Sequence, residues 1–143
     1  MNAVDTVETY VEGDRAIPIV RDTDVVAARL AARALASRVG FMGTDLVLIA
    51  SAVSEVARNI VAYAGPGEVI LSVVQNRSRL GLQVIARDRG PGIADMSRAL
   101  EKGFSTSRSL GLGLPGSKQF MDEFRLESTL GLGTTVTMRK WLS

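Results

Sequence analysis

The stretch SEVARNIVAYAGPGEVILSVVQNRSRLGLQVIARDRGPGI, residues 54–93, carries the pattern that decides the fold. It opens inside a helical pattern that starts at Thr44 or Asp45 and stops near Ala64, where Gly-Pro-Gly follows. Two apolar segments, 69–75 and 80–87, come next and are separated by the turn-like 76–79. Neighbouring strands joined by a short turn favour antiparallel pairing over an alternation of strands and helices.

The flanking regions repeat this arrangement of helices and adjacent strands. Upstream, strands are predicted over 6–12 and 16–20 around the Gly13-Asp14 turn, followed by a helix from about 22 to 38. Downstream, the patterns predict helices over 94–101 and 115–123, a hydroxyl-rich loop over 103–111, and strands over 124–128 and 134–141. We therefore expect a single domain over 1–143, an α/β (α+β) two-layer sandwich. Its sheet is mixed, largely antiparallel, with helices on one face.

The composition excludes several classes of function. The 17 basic and 15 acidic residues leave a net charge of +2, which is too small to predict a nucleic-acid surface. Cysteine and histidine are both absent, which excludes disulfides, thiolate nucleophiles, serine–histidine triads and a phosphohistidine. The amino terminus is acidic, and no segment reaches the roughly 20 apolar residues of a membrane span. We expect a cytoplasmic protein that contacts neither nucleic acid nor membrane.

Glu55 and Asn59 are four residues apart on the second helix and so share a face. Helical spacing places them on a seam with Leu48, Ala52 and Ala62, between two contrasting sides. The side predicted to face the core carries Leu46, Ile49, Val53, Val56 and Ile60, and the side predicted to face solvent carries Ser51, Ser54 and Arg58. The pair has two interpretations. It is a boundary pair bonded to a neighbour, or a carboxylate base beside an amide ligand for a hard cation.

Asp88 ends an apolar strand and is followed at once by Gly90, Pro91 and Gly92. A carboxylate in this position commonly caps a turn. Alternatively, it accepts a hydrogen bond from an exocyclic amine, while the glycines let a flat base approach the backbone.

The segment GLGLPGSK, residues 111–118, resembles two nucleotide-binding fingerprints without satisfying either. The dinucleotide fingerprint requires a preceding buried strand and an acidic residue about 20 positions later; here 105–109 is polar and Glu127 comes too early. The P-loop requires a hydroxyl residue after the lysine, whereas Ser117 precedes Lys118. A nicotinamide-dependent oxidoreductase remains an alternative, as does a tight turn without ligand. Glycines at a helix start also suit a polyphosphate.

Taken together, E-x-x-x-N, D-x-G-x-G-I, G-L-G-L and G-x-G-T-T follow one another in an order that resembles the GHKL or Bergerat-fold ATP-binding family, from about residue 22 to 140. The resemblance implies ATP and Mg²⁺ as cofactors. It implies Glu55 as general base, Asn59 as magnesium ligand and Asp88 as acceptor of the adenine amine. Further nucleotide contacts are implied for Gly90, Gly92, Ile93, Ser105, Thr106, Arg108, Gly111, Leu112, Gly113, Leu114, Thr134 and, as a fallback, Thr135, with 103–109 as the lid.

Within this family the short chain, with no room for a further catalytic or dimerisation domain, is most similar to serine/threonine kinases of the anti-sigma-factor type. The segments ARNIVAYAGPG and GFSTSRSLGLGLPGSKQFMDEF most resemble the stressosome switch kinases among them. The resemblance implies phosphorylation of a serine on a STAS-domain antagonist, with a phosphatase or a sigma factor as alternate partner and a homodimer as one allowed assembly. The alternative is an anti-sigma factor that mainly sequesters a sigma subunit.

The chemistry expected from this resemblance is in-line transfer of the ATP γ-phosphoryl group, with Glu55 accepting the serine proton. A glutamate at its ordinary pKa of about 4.3 is a weak base. We therefore expect partial burial at the seam to raise the pKa of Glu55.

Overall fold

A computed structural model describes residues 9–90 and 114–143. The strands are β1 (Thr9–Ile19), β2 (Gly67–Asn76), β3 (Arg79–Asp88), β4 (Glu123–Thr129) and β5 (Gly133–Trp141). The helices are α1 (Asp22–Val39), α2 (Thr44–Asn59) and α3 (Leu114–Phe120), and a π-helical turn (Ile60–Ala64) directly follows α2. The predicted helix over 94–101 and loop over 103–111 lie outside the described residues. None of the described helices is long and apolar enough to span a membrane.

The five strands form one sheet in the order β1-β2-β3-β5-β4. Every neighbouring pair among the described strands is antiparallel, so the mixed pairing allowed by the sequence does not occur within these ranges. Short turns explain the two hairpins, because β2 and β3 pair up to Asn76 and Arg79, and β4 and β5 up to Thr129 and Gly133. The predicted two-layer α/β class is confirmed.

The amino-terminal region differs from the prediction, because it forms one strand rather than two. The Gly13-Asp14 pair does not reverse the chain; β1 runs on and stays paired with β2. The pairing register shifts between Tyr10 and Glu12 and again between Glu12 and Arg15. Bulges of this kind take up extra residues within a ladder, which is why turn-forming residues here do not end the strand.

The core lies between α1, α2 and one face of the sheet. Alternate residues of β2, namely Val69, Leu71 and Val73, belong to it, as expected for a strand with one face toward the helices. Ile49, Val53, Val56 and Ile60 are buried as predicted from helical spacing. The close packing of α1 is made by Ala28, Ala32 and Ala36 together with Val25 and Leu35.

Two further predictions were wrong in detail. Ser54 was expected to face solvent but is buried, and its hydroxyl donates to the Ala50 carbonyl oxygen at 2.8 Å. The third helix was expected to continue to 123 but ends at Phe120. It ends there because Asp122 is held by β5: its N–H donates to Arg139 O at 2.9 Å, and its carboxylate accepts from Trp141 N at 2.8 Å.

Candidate functional site

Glu55 lies half-buried on α2, and α3 fixes its position. The hydroxyl of the fully buried Ser117 donates to Glu55 Oε2 at 3.0 Å and lies 3.3 Å from the Ala52 carbonyl oxygen. The backbone N–H of Ser117 also donates to the Glu55 carboxylate. The packing of α3 on α2 therefore orients the carboxylate through Ser117.

Burial raises the pKa of Glu55 above its ordinary value, as predicted. The hydrogen bond from Ser117 and the positive charge of Arg58 both oppose that rise. A carboxylate with a raised pKa is a better proton acceptor than an exposed one. These surroundings suit a general base.

Asn59 is the next residue on the same helix face, and its side chain is incompletely satisfied. Its Nδ2 atom is buried and has no hydrogen-bond partner among the described residues. Buried polar atoms of folded proteins nearly always have a partner, so an orphaned amide beside a carboxylate indicates a missing ligand. The amide oxygen and nitrogen exchange places on rotation of the group, so either can face that ligand.

The donor set fits a magnesium ion carried by a triphosphate. Mg²⁺ keeps several waters and takes one or two protein oxygens together with substrate phosphates, rather than a full protein cage. An amide oxygen from Asn59 matches that requirement. Over 9–90 and 114–143, no three acidic side chains form a group that would hold a metal by themselves.

Asp88 ends β3 and is held by the main chain rather than by side chains. The N–H of Gly90 donates to Asp88 Oδ1 at 2.8 Å, which closes the turn after the strand. Burial raises the pKa of Asp88, while the backbone N–H groups of Gly90 and Thr134 oppose the rise. The carboxylate is thus oriented by backbone donors, and its remaining acceptor sites suit a neutral donor such as an amine.

Two glycines allow other segments to approach Asp88 closely. A Cβ at Gly133, where φ is +133°, would lie 2.1 Å from the Asp88 carbonyl oxygen. A Cβ at Gly67 would lie 2.5 Å from Arg87 O, 2.8 Å from Ile60 Cγ2 and 3.2 Å from Asp88 Cβ. Because Ile60 directly follows Asn59, Gly67 is where the end of α2 and the end of β3 pack against each other.

The strand register distinguishes Thr134 from Thr135. Thr134 pairs with Asp88, and cross-strand partners share a face of the sheet. Its hydroxyl lies 3.0 Å from Ser128 Oγ. Ser128, Thr134 and Thr135 all line a cleft of about 280 Å³ beside Asp88, so the register and not the cleft distinguishes the two threonines. Thr135 pairs with Arg87 and lies on the opposite face. This geometry favours Thr134 over the fallback.

The described structure brings together part of the predicted site. Glu55 and Asn59 lie on one stretch of α2, and Asp88, Gly90 and Thr134 lie at the adjoining end of the sheet. Leu114 is the first residue of α3. The remaining predicted contacts lie outside the described residues: Gly92, Ile93, Ser105, Thr106, Arg108, Gly111, Leu112 and Gly113, together with the lid over 103–109.

The roles of Ser117 and Gly67 were not predicted. In the sequence, Ser117 is notable only for preceding Lys118, which does not fit a P-loop, and Gly67 is notable only as part of a helix stop. Ser117 and Glu55 are 62 residues apart, so no local pattern indicates their contact. A hydroxyl on the helix that follows the glycine run is the one available signal.

An antiparallel sheet covered by helices, with an acid–amide pair on one helix and a glycine-flanked aspartate at the strand end, defines a nucleotide-binding class. Residues 20–140 match the model of the histidine kinase-like ATPase domain, and the chain belongs to this family. The serine/threonine-protein kinase RsbT of Bacillus subtilis (strain 168) is 48% identical over 126 residues, which cover 88% of this chain and 95% of that relative. The predicted family is confirmed.

More distant relatives carry a different name. An anti-sigma F factor of Caldanaerobacter subterraneus subsp. tengcongensis is 30% identical over 121 residues, covering 80% of this chain and 83% of the relative. An anti-sigma F factor of Thermoanaerobacter sp. (strain X514) is 29% identical with the same coverage. The chain is therefore similar both to a protein kinase and to anti-sigma factors.

Proposed function

We propose that this chain transfers the γ-phosphoryl group of ATP to a serine of a STAS-domain antagonist and thereby acts as a partner-switching regulator. The observation that carries the proposal is the Glu55–Asn59 pair, a half-buried carboxylate oriented by Ser117 beside an amide without a partner. The chain is an ATP-dependent serine/threonine-protein kinase, as its 48% identity to RsbT over nearly the whole of both chains indicates.

In the proposed reaction, Glu55 acts on the acceptor serine. Its carboxylate takes the proton from the serine hydroxyl as the new bond from serine Oγ to phosphorus forms. The bond between the γ-phosphorus and the bridging oxygen breaks, and its electron pair leaves with ADP. Ser117 donates to Oε2 of the carboxylate, which fixes the orientation of Glu55 for this step.

Other residues of the chain bind the nucleotide. Asp88 accepts a hydrogen bond from the adenine amine, and Thr134 lies on the same face to reach the base through water. Asn59 holds Mg²⁺, which when bound neutralises charge on the phosphates. The N–H groups in the glycine run before α3 are proposed to hold the phosphates, because helix starts favour anions.

The second candidate is an anti-sigma factor that acts by sequestering a sigma subunit. Similarity to anti-sigma F factors over 80% of the chain favours it. A surface that only sequesters a partner needs neither a base nor a magnesium ligand, so the Glu55–Asn59 pair favours a working kinase. A phosphatase or a sigma factor is the proposed alternate partner in either case.

The test is transfer of label from γ-³²P-ATP to purified STAS-domain proteins encoded next to this chain. We expect one of them to be labelled on serine. A pull-down of sigma subunits in parallel distinguishes the second candidate: retention of a sigma subunit without labelling of any STAS-domain protein would favour sequestration.

Glu55→Gln tests the base within the same assay. The amide keeps the shape of the carboxylate and still accepts from Ser117, but it cannot take a proton, so transfer should fall by about 10²- to 10⁴-fold. Binding of a non-hydrolysable ATP analogue, measured by calorimetry, should change little. Undiminished labelling by this variant would remove Glu55 from the mechanism.

A further inference from the structure

Helices α1 and α2 together form a groove, and Glu55 is among the residues that line it. It encloses about 640 Å³, and three arginines line it: Arg29 and Arg33 from α1 and Arg58 from α2. Among the described residues that line it, Glu55 is the only acidic one. These residues therefore give the groove a net positive charge, and the proposed base forms part of its wall.

The arginines of the groove are not committed to partners within the described part of the chain. All three are exposed, and none forms an ion pair with a carboxylate in residues 9–90 or 114–143. Arg58 acts on Glu55 through its charge alone. Clustered cations repel one another, so a cluster of this kind favours an anionic occupant.

The groove also has an apolar part. Leu30 of α1 and Val47 of α2 both line it and are 56% and 52% exposed. Val26, 46% exposed, lies four residues before Leu30 and so on the same side of α1. Exposed large apolar side chains next to charged ones are typical of protein-binding surfaces rather than of sites for free ions.

We propose that this groove docks the acidic segment of the protein substrate that carries the acceptor serine. The arginines would hold carboxylates of the segment, Leu30 and Val47 would contact its apolar side chains, and its serine would reach Glu55 in the wall of the groove. The proposal rests on the kinase function proposed above. It adds which surface of the chain selects the substrate and which charge the substrate carries.

A second copy of the chain fits the groove less well than an acidic segment does. In a two-fold dimer the same patch meets itself, which would bring the arginines of both copies together. Like charges placed face to face oppose association.

The experiment uses the full chain with Arg29→Glu and Arg33→Glu combined, and the STAS-domain protein that the unaltered chain labels. Both arginines are exposed and lie outside the nucleotide site, so folding and binding of an ATP analogue should be unchanged. The KM for the protein substrate should rise by about 10-fold or more, with little change in kcat. The reason is that like charges facing each other across a docking surface mainly slow association. The salt dependence of KM should also weaken.

Arg77→Glu is the matched control. It reverses the charge of another exposed arginine, in the turn between β2 and β3 and outside the groove, and should leave KM unchanged. A second variant set replaces acidic residues beside the acceptor serine of the substrate by lysine. These should be labelled better by the Arg29→Glu, Arg33→Glu chain than by the unaltered chain.

The outcomes separate this proposal from the proposed function. If the unaltered chain labels its substrate and the double variant does so with the same KM, the docking proposal is overturned and the kinase function stands. If the double variant instead converts a dimer to a monomer at unchanged KM, the groove is an interface between copies, and the docking proposal is again wrong. If no STAS-domain protein is labelled by the unaltered chain, the proposed function fails and the docking proposal fails with it.

Discussion

Two half-buried carboxylates, Glu55 on α2 and Asp88 at the end of β3, have raised pKa values. Burial is the largest cause for both. They differ in what holds them. Glu55 is held mainly by a side chain from another helix, the Ser117 hydroxyl, whereas backbone N–H groups hold Asp88 and glycines lie against it. A main-chain donor moves only when the sheet moves, whereas a side-chain donor can rotate away to another acceptor. The comparison suggests that the sheet end recognises an invariant group and the helix supports a reacting one.

Gly133→Ala should have the largest effect, because it disturbs the close main-chain packing against Asp88. The new Cβ would meet the Asp88 carbonyl oxygen at 2.1 Å while φ stays at +133°. We expect the free energy of unfolding to fall by about 2–5 kcal/mol, measured by urea denaturation.

Gly131→Ala is its control in the same turn. Its φ is +82°, but a Cβ there would meet nothing within 4 Å, so the loss should be only about 1–2 kcal/mol. Equal losses for the two variants would show that the close approach at Asp88 contributes nothing.

Asp88→Asn should weaken ATP binding by about 10- to 100-fold, since it can present an N–H donor to the adenine amine where the carboxylate accepts. The turn should survive, because the amide oxygen can still accept from Gly90 N. Calorimetry with an ATP analogue measures the affinity, and GTP provides the comparison, because its base lacks this amine. An undiminished ATP affinity would contradict the adenine role.

Ser117→Ala tests the side-chain hydrogen bond that holds Glu55. The hydrogen bond from Ser117 lowers the pKa of Glu55, so its loss should raise that pKa further. Activity requires the ionised carboxylate, so the acid limb of the pH profile of kcat should move to higher pH. The free energy of unfolding should also fall by about 0.5–1.5 kcal/mol.

Ser54→Ala separates these two effects. It also removes a buried hydroxyl from a hydrogen bond, but the partner is the Ala50 carbonyl oxygen. A similar loss of stability is expected with no movement of the acid limb. If both variants shift the acid limb alike, the shift results from the loss of stability and not from the loss of the hydrogen bond between Ser117 and Glu55.

Thr134→Val compared with Thr135→Val should give the smallest effect. Thr134 shares a face with Asp88 and Thr135 does not. Loss of one hydrogen bond should weaken ATP affinity by about 2- to 10-fold for Thr134→Val and leave it unchanged for Thr135→Val. The reverse order, again by calorimetry, would assign the nucleotide to the other face.

Much of the architecture could be predicted because its signals are local. The apolar spacing of α2 correctly identified Ile49, Val53 and Val56 as core. The prediction failed where a tertiary contact overrode a local signal. Gly13-Asp14 lies in a bulge because β2 pairs on both sides of it, and Ser54 is buried although helical spacing placed it on the side predicted to face solvent. The third helix ends early because β5 holds Asp122.

By itself, the sequence determined the family, the order of the elements and the pair Glu55 and Asn59 on one helix face, because periodicity, stop signals and motif spacing are properties of neighbouring residues. Only the tertiary structure decided that Ser117 meets Glu55, that Gly67 and Gly133 flank Asp88, and that α1 and α2 form an arginine-lined groove. These contacts join residues far apart along the chain. Their chemistry, including the raised pKa values, depends on burial, which arises only when the layers pack.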